Sequence, residues 1–238
     1  MSDARSVAQG RPERFVQALA LGLDRGWHRR SEMERDADAR SFTEALEQDP
    51  GNDVRTFVYT SIGLQPGVDL MLWRLAPSLD ALEQAAARAL RCGLGTSLSV
   101  HDSLLGILRP SQYVTKPTEQ EQSLFDGERS RYLVVYPFTK STDWYLLGRE
   151  ARQGIMNEHM RIGRGWPQVR QLLAYSFGVD DADFLVAYET DDLPAFGDLV
   201  RALRGTESRR STVRDTPILT AVHRPLDEAL ALLGAPRR

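Results

Sequence analysis

The stretch VRTFVYTSIGLQPGVDLMLWRLA, residues 54–76, decides the fold because it contains two strand patterns and the turn between them. Residues 54–64 and 68–76 are rich in β-branched and aromatic side chains, which favour an extended backbone. The sequence Gln-Pro-Gly at 65–67 separates the two runs with residues that are typical of a tight turn. We therefore predict an antiparallel β-hairpin.

The segments around this hairpin alternate between strand and helix patterns. Residues 28–49 are charged and rich in helix formers, and residues 78–90 begin with Ser78, a residue that caps helices well. The apolar run at 14–24 has the content of a strand, although its period also fits a helix. Residues 96–109 have a strand or extended pattern.

The second half repeats this order of patterns. We predict strands at 131–140, 183–190 and 216–222, and helices at 147–163, 166–177 and 192–204. Asp192 can cap the last of these helices, and Pro194 is compatible with its first turn. Two similar halves, each mixing strands and helices, indicate an α+β protein.

These patterns divide the chain into two halves and three flanking or connecting segments. Residues 12–110 form the first half, and residues 131–224 form the second. Residues 111–130 lose the periodicity, so we predict a linker or long loop there. We predict that residues 1–11 are a disordered tail and that residues 225–238 are a C-terminal tail.

The composition disfavours nucleic-acid and membrane binding. The chain has 238 residues and a net charge of −3, so no global field attracts nucleic acid. No run approaches the roughly 18 apolar residues that cross a bilayer, and residues 1–14 lack the apolar core of a secretory signal. The single cysteine, Cys92, excludes an internal disulfide and fits a reducing compartment. We expect a cytoplasmic protein.

The histidine in GIMNEHMRIG, His159, is the first candidate for chemistry. The simpler interpretation is a core or surface histidine that is hydrogen-bonded to a carboxylate. The alternative is a metal ligand whose second nitrogen is held by Glu207 or Glu158. The chain has four histidines without HxH or HxxxH spacing, which disfavours a multi-histidine zinc site. A single histidine ligand is typical of haem, where the macrocycle supplies four bonds.

The segment YPFTKSTDWYLL is the second candidate, since it places Tyr136, Lys140 and Trp144 near the end of a predicted strand. These residues could be core aromatics with a solvated lysine. They could also be a redox-active phenol beside an oxidisable indole, with the lysine holding a carboxylate. The segment alone does not separate the two interpretations.

The segment LRGTESRR is the third candidate. Arg204 and Glu207 are about one helical turn apart in it, so they can share a face. A surface ion pair at this spacing contributes only a few tenths of a kcal/mol, roughly, to stability. A solvated ion pair is therefore the default interpretation of these two residues.

Four blocks together resemble the chlorite dismutase family of haem proteins. They are RYLVVYPFTKSTDWYLL, MNEHMRIGR, SFGVDDADFLVAYETDDLPAF and LRGTESRR with the following RDTPILT. The upstream TSIGLQPGVDLMLWRLAP is similar to the family's first half, so the resemblance covers residues 12–224. It implies tandem ferredoxin-like halves that form a dimeric α+β barrel within one chain, with haem in the C-terminal half. It also implies a homopentamer.

The resemblance assigns roles to the residues on the proximal side and around the propionates. His159 would be the proximal iron ligand, and Glu207 would accept a hydrogen bond from its other nitrogen. Lys140 and Arg204 match basic positions that hold propionates through charge-assisted hydrogen bonds.

The distal position separates the branches of the family. Chlorite dismutases have a distal arginine, whereas the matching position here is Gln171, and the adjacent Arg170 would point about 100° away on the predicted helix. Gln171 resembles the coproheme decarboxylase branch, in which a catalytic tyrosine matches Tyr136 and an aromatic residue beside it matches Trp144. This chain departs from relatives that carry a distal histidine in the linker. Ser211 stands where close relatives would have an aromatic residue.

The activity that the resemblance implies is the peroxide-dependent decarboxylation of iron-coproporphyrin III (coproheme) to haem b. The catalytic residues would be Tyr136, Lys140 and Gln171. Oxidised Tyr136 would take a hydrogen from a propionate β-carbon, after which carbon dioxide leaves and a vinyl group remains, at two propionates in turn. A chlorite dismutase or haem peroxidase and a non-catalytic haem-binding paralogue remain as alternatives.

Overall fold

A computed structural model describes residues 14–48, 53–113 and 128–237, and each half of the chain contains a βαββαβ series, to which the second half adds two helices and a short strand. The first half contains β1 (Arg14–Leu23), α1 (Glu32–Glu47), β2 (Arg55–Gln65), β3 (Val68–Ala76), α2 (Leu79–Arg91) and β4 (Leu98–Leu108). The second contains β5 (Tyr132–Lys140), α3 (Thr142–Leu146), α4 (Arg149–Gly163), β6 (Arg170–Tyr175), β7 (Phe184–Thr190), α5 (Leu193–Arg204), β8 (Thr212–Arg214), β9 (Leu219–His223) and α6 (Leu226–Leu232). Short 3-10 helices cover Arg25–Arg29, Gly93–Ser97 and Glu207–Ser211.

The strands form one closed barrel built from two equivalent sheets. The strand order is β4-β1-β3-β2 in the first half and β9-β5-β7-β6 in the second, which is the same ferredoxin-like order. The antiparallel pairs β2–β9 and β4–β6 join the halves, so that eight strands close into a barrel. The predicted fold class, tandem ferredoxin-like halves forming an α+β barrel within one chain, is confirmed.

Local sequence explains why several of these elements begin and end where they do. Gly67, in the predicted turn between β2 and β3, has a φ of 71°, a conformation that glycine adopts without strain. The Ser78 side chain accepts a hydrogen bond from the Ala81 amide at 3.1 Å and caps α2 as predicted. Asp192 caps α5 in the same way, with the Ala195 amide at 3.0 Å.

Three apolar clusters fill the fold. The first lies inside the barrel, and the second lies between the outer face of the first half and helices α1, α2 and α6. The third is small and lies on the outer face of the second half, around Val169, Val186, Tyr188 and Leu199. No residue of α4 is fully buried, and none belongs to these clusters. The second half therefore has an outer face that its helix α4 does not cover by packing.

Three expectations from the sequence are wrong in detail. The helix expected at 166–177 is the strand β6, because four successive apolar or aromatic residues, LLAY, fit both structures and the pairing with β7 selects the strand. The tail expected at 225–238 contains α6, whose Ala229 and Leu230 are buried in the second cluster. The strand expected at 216–222 begins at Leu219.

Other expectations fall on parts of the chain that the structure does not describe. The predicted tail at 1–11 lies outside the described residues, and so does most of the predicted linker, residues 114–127. None of the described helices is long and apolar enough to cross a bilayer.

Candidate functional site

The outer face of the second half presents a group of polar side chains from three adjacent strands. Tyr136 on β5 is opposite Val186 on β7, and Gln171 on β6 is opposite Tyr188 on β7. Side chains alternate between the two faces of a sheet, and the neighbours Val135 and Leu172 point into the barrel. The strand register therefore brings Tyr136, Tyr188 and Gln171 to one face.

Tyr136 and Tyr188 form a stacked pair on this face. Their ring centroids are 5.9 Å apart with an angle of 22° between the planes. Burial raises the pKa of both phenols above the ordinary value. Tyr188, Asp215 and Arg204 also affect the pKa of Tyr136, the first two raising it and Arg204 lowering it. Both phenols are therefore protonated at neutral pH.

His159 lies on α4, as predicted, and is partly buried. Its pKa is lowered to about 4, first by burial and then by the nearby charge of Lys140, while Glu158 acts in the opposite direction. Its Nδ1 atom is buried and has no hydrogen-bond partner in the described part of the protein. The imidazole is therefore neutral at pH 7, which is the state that binds a metal ion.

The predicted hydrogen bond between Glu207 and His159 is not formed in this structure. The Glu207 carboxylate instead contacts Arg210 Nη1 at 3.2 Å. The backbone amide of Glu207 donates to the carboxylate of Glu158 at 3.2 Å. Of the two carboxylates that the sequence suggested, Glu158 thus lies on α4 and Glu207 lies next to it, but neither accepts a hydrogen bond from the orphaned Nδ1.

Lys140 is the last residue of β5 and is buried. Its positive charge contributes to the lowered pKa of His159. Its ammonium group donates to the Ser208 carbonyl at 2.8 Å, to the Ser208 hydroxyl at 3.0 Å and to the Thr212 hydroxyl at 3.2 Å. It also lies 4.7 Å from the ring of Trp144. Burial, with a smaller effect of Arg209, lowers its pKa to about 8. Lys140 is thus occupied by protein oxygens, whereas the resemblance implied a contact with a propionate.

Arg204 ends α5 and is exposed. Its guanidinium lies 3.9 Å from the carboxylate of Asp215, a distance too long for a hydrogen bond, and Asp215 is held more closely by Arg209 at 2.5 Å. The ion pair with Glu207 that the spacing suggested is absent from the described contacts of Arg204. Arg204 therefore keeps donors available near the Tyr136 phenol.

Arg170 is directed to the opposite face from Gln171, because the two residues are neighbours on a strand. Its guanidinium donates to the buried carboxylate of Glu189 at 2.7 Å, and this carboxylate also accepts from the Tyr59 hydroxyl at 2.5 Å. The predicted helix around Arg170 is wrong. Because Arg170 and Gln171 point to opposite faces of β6, Arg170 is directed farther from the candidate site than the angle of about 100° on a helix implied. Arg170 belongs to a polar network inside the barrel.

Several residues of this site were missed by sequence reasoning. Tyr188, Ser208, Thr212 and Asp215 each contact or influence a predicted site residue. The alternation in DFLVAYET could have placed Tyr188 on the face of Val186, since they are two residues apart. Nothing in the sequence pattern identified the other three, because they reach the site through tertiary contacts.

A separate groove of about 710 Å³ lies in the first half between α1 and α6. Its charged lining includes five acidic residues, Asp36, Glu44, Glu47, Asp227 and Glu228, and three arginines, Arg40, Arg224 and Arg237. None of the predicted site residues lines it. Its excess of carboxylates makes it unsuitable for a ligand that carries several carboxylates.

The sequence of the chain is similar to those of known proteins. A family model described as chlorite dismutase matches residues 35–224. The chain is 31% identical to the coproheme decarboxylase of Mycolicibacterium smegmatis over 188 residues, which are 79% of this chain and 80% of the relative. It is 27% identical to the chlorite dismutase of Ideonella dechloratans over 155 residues, 62% of this chain and 54% of that protein.

A solved structure shows the same architecture. The chlorite dismutase from Candidatus Nitrospira defluvii in complex with imidazole superposes with a TM-score of 0.83 and is 28% identical, covering 92% of this chain and 94% of the other. Variants of that protein superpose equally well, with TM-scores of 0.83 to 0.84.

Proposed function

The chain belongs to the chlorite dismutase family, and on this premise we propose that it is a coproheme decarboxylase. It would bind iron-coproporphyrin III and use hydrogen peroxide to convert two propionate groups into vinyl groups, which yields haem b. For each propionate, the carboxylate, one peroxide and one proton would become a vinyl group, carbon dioxide and two water molecules. The observation that carries this proposal is the partly buried Tyr136 phenol on the same sheet face as Gln171.

The residues present fit an iron tetrapyrrole next to this face. The helix α4 carries a neutral, partly buried histidine and has no fully buried residue, so its packing leaves one side for another group. A metal-ligating imidazole donates a hydrogen bond from its second nitrogen to an acceptor. The Nδ1 atom of His159 has no partner among the described residues, so it can serve as that donor. His159 would hold the iron, with Glu158 and Glu207 as the carboxylates available to orient it.

The bound iron tetrapyrrole, together with peroxide, would supply the oxidising equivalents for the reaction. Tyr136 would lose a hydrogen atom and then take one from the β-carbon of the nearest propionate. Because burial keeps the Tyr136 phenol protonated, its oxidation has to remove a proton together with an electron. Gln171 would face the distal side without adding a charge there.

Arg204 is the better of the two predicted propionate contacts. It is exposed, and its contact with Asp215 is long, so a carboxylate can accept hydrogen bonds from its guanidinium. Lys140 already donates to three protein oxygens. We assign Lys140 to the support of the 3-10 helix that follows α5 and to the positive field around His159.

The chlorite dismutase alternative is disfavoured by the direction of Arg170. The resemblance implies that chlorite dismutases have a distal arginine. Arg170, the arginine next to the matching position, is instead bound to Glu189 on the other face of β6. The remaining alternative is a paralogue that binds haem without turnover. The cytoplasmic location and the homopentamer stay predictions, and the sedimentation velocity of the purified protein would test the latter.

The test is a titration of the purified protein with ferric coproheme, followed by hydrogen peroxide and chromatographic separation of the porphyrins. We expect a mono-decarboxylated species and then haem b in the wild type. Tyr136→Phe should bind coproheme without forming either product, whereas Tyr132→Phe, on the same strand and the same face, should behave like the wild type. Binding without any product in the wild type would support the paralogue, and absence of binding would refute the haem proposal.

A further inference from the structure

The first half contains a buried guanidinium group, that of Arg74 on β3, which has no partner of opposite charge among the described residues. Arg74 is 1% exposed. Its Nη2 atom donates a hydrogen bond to the side-chain oxygen of Gln17, which is a neutral amide. Its Nε atom is buried and has no hydrogen-bond partner in the described part of the chain. The proposed reaction gives this group no role.

Two other arginines show how the same protein places a buried positive charge. The guanidinium of Arg170 lies 2.7 Å and that of Arg129 lies 3.5 Å from the buried carboxylate of Glu189. Burial lowers the pKa of Arg74 to about 10, so this group is still charged at pH 7. A charge that is removed from water without a counter-charge is unfavourable. Arg74 therefore needs an anion that the described residues do not supply.

The strand register places Arg74 in a polar row on the outer face of the first sheet. Gln17 on β1 and Thr56 on β2 are opposite Arg74, whereas the next residue, Leu75, points into the barrel. The Nε2 atom of Gln17 donates to the hydroxyl of Ser103 on β4 at 2.8 Å, and Ser103 is exposed. A single side chain, that of Gln17, thus separates the buried guanidinium from an exposed residue.

The donors of Arg74 indicate the class of anion. The Nε–H bond of a guanidinium and one N–H bond of its Nη2 are parallel, so a group with two oxygen atoms can accept from both. The amide of Gln17 has one oxygen and accepts only from Nη2. A carboxylate-shaped anion satisfies both donors and also supplies the missing negative charge.

We propose that Arg74 binds a small, singly charged oxyanion of carboxylate shape through Nε and Nη2, in place of the Gln17 oxygen. Gln17 is only partly buried, and rotation of its amide turns Nε2 towards the anion as a third donor. The anion comes from solution by way of the Gln17 side chain. This site lies in the first half, whereas Tyr136 and His159 lie in the second, so it does not depend on the proposed function.

Thermal unfolding of the full chain without coproheme, at increasing concentrations of sodium formate in a zwitterionic buffer, tests this site. An anion that binds only the folded state should raise the Tm of the wild type by roughly 5–10 °C at a hundredfold excess over its Kd. Arg74→Met removes the donors and should lose this rise, whereas Arg201→Met, which replaces an exposed arginine, should keep it. General effects of salt are common to all three proteins. If the Tm difference between wild type and Arg74→Met does not change with formate, the inference is wrong.

A second variant, Gln17→Glu, supplies the carboxylate from the chain itself and does not require that Arg74→Met folds. Its Tm without formate should exceed that of the wild type and should no longer respond to formate, because Nε and Nη2 are then occupied. Gln168→Glu adds the same charge at an exposed position and should respond to formate as the wild type does. A Gln17→Glu protein that keeps the full response would show that formate binds elsewhere and would overturn the inference.

A carboxylate on a second copy of the chain has the same chemistry as a free anion, and protein concentration separates the two sources. The Tm at a fixed formate concentration should not depend on the concentration of the wild-type protein if the anion comes from solution. A Tm that rises with protein concentration in the wild type but not in Gln17→Glu, without any response to formate, would assign Arg74 to an interface and overturn the inference.

Discussion

Acid should destabilise the coproheme-free protein through His159, and the size of this effect follows from its environment. In the folded protein its pKa is lowered to about 4, mainly by burial, whereas a histidine in an unfolded chain titrates near 6.5. Between these two values the unfolded state takes up a proton and the folded state does not. The contribution of His159 to the free energy of unfolding is therefore fully present above pH 6.5 and is lost as the pH falls towards 4.

The magnitude follows from the difference between the two pKa values. Each pKa unit corresponds to about 1.4 kcal/mol, so the free energy of unfolding should fall by up to about 3 kcal/mol between pH 7.5 and pH 4 because of His159 alone. Other groups titrate in the same range, including His223, whose pKa is also lowered by burial. A variant that lacks only the imidazole, His159→Gln, separates the contribution of His159 from theirs.

Urea denaturation followed by tryptophan fluorescence and circular dichroism, at half-unit pH steps, measures this difference. The wild type should lose up to about 3 kcal/mol more than His159→Gln over this range, so the variant gains stability relative to the wild type in acid. His28→Gln, which replaces an exposed histidine, should follow the wild type. If the difference between wild type and His159→Gln is the same at pH 7.5 and pH 4, the imidazole is not held neutral by burial, and our account of the site is wrong.

Three further predictions concern the candidate site and the barrel. Tyr136→Phe should form no haem b but bind coproheme with unchanged affinity, and residual product in chromatography would exclude it as the radical site. Arg204→Ala should weaken coproheme binding about tenfold in a spectroscopic titration, whereas Arg201→Ala, an exposed arginine of the same helix, should not; equal effects would refute a specific contact. Arg170→Met leaves buried Glu189 with fewer partners and should cost about 3 kcal/mol, or a Tm lower by roughly 6–12 °C. An unchanged Tm together with lost activity would contradict this structural role and indicate that Arg170 acts in the candidate site.

The hairpin and most helices could be predicted from the sequence because their signals are local. The turn at Gly67 and the caps Ser78 and Asp192 act within a few residues of their own position, and the structure shows each of them as predicted. The segment 170–175 was mistaken for a helix because LLAY has no clear period. Its hydrogen bonds to β7, the next strand along the chain, make it a strand.

The candidate site was also predicted from the sequence only in part. The residue types and the order of the blocks carried the resemblance, and with it the choice of Tyr136, His159 and Gln171. The structure then brought Tyr136 and Gln171 to one face, which depends on the registers β5–β7 and β6–β7. Lys140 was chosen as a propionate contact, but burial against Ser208 and Thr212 gives it protein partners that no spacing in the sequence reveals.

The sequence by itself determined most strands and helices of the two halves, though not β6, because strand and helix patterns, turns and caps arise from neighbouring residues. It also determined which residue types are available for haem chemistry. Only the tertiary structure decided that Arg170 lies inside the barrel, that Tyr188 meets Tyr136 and that His159 is held neutral. The physical reason is that strand register, burial and the fields of distant charges depend on which segments pack together, and local sequence carries little of that information.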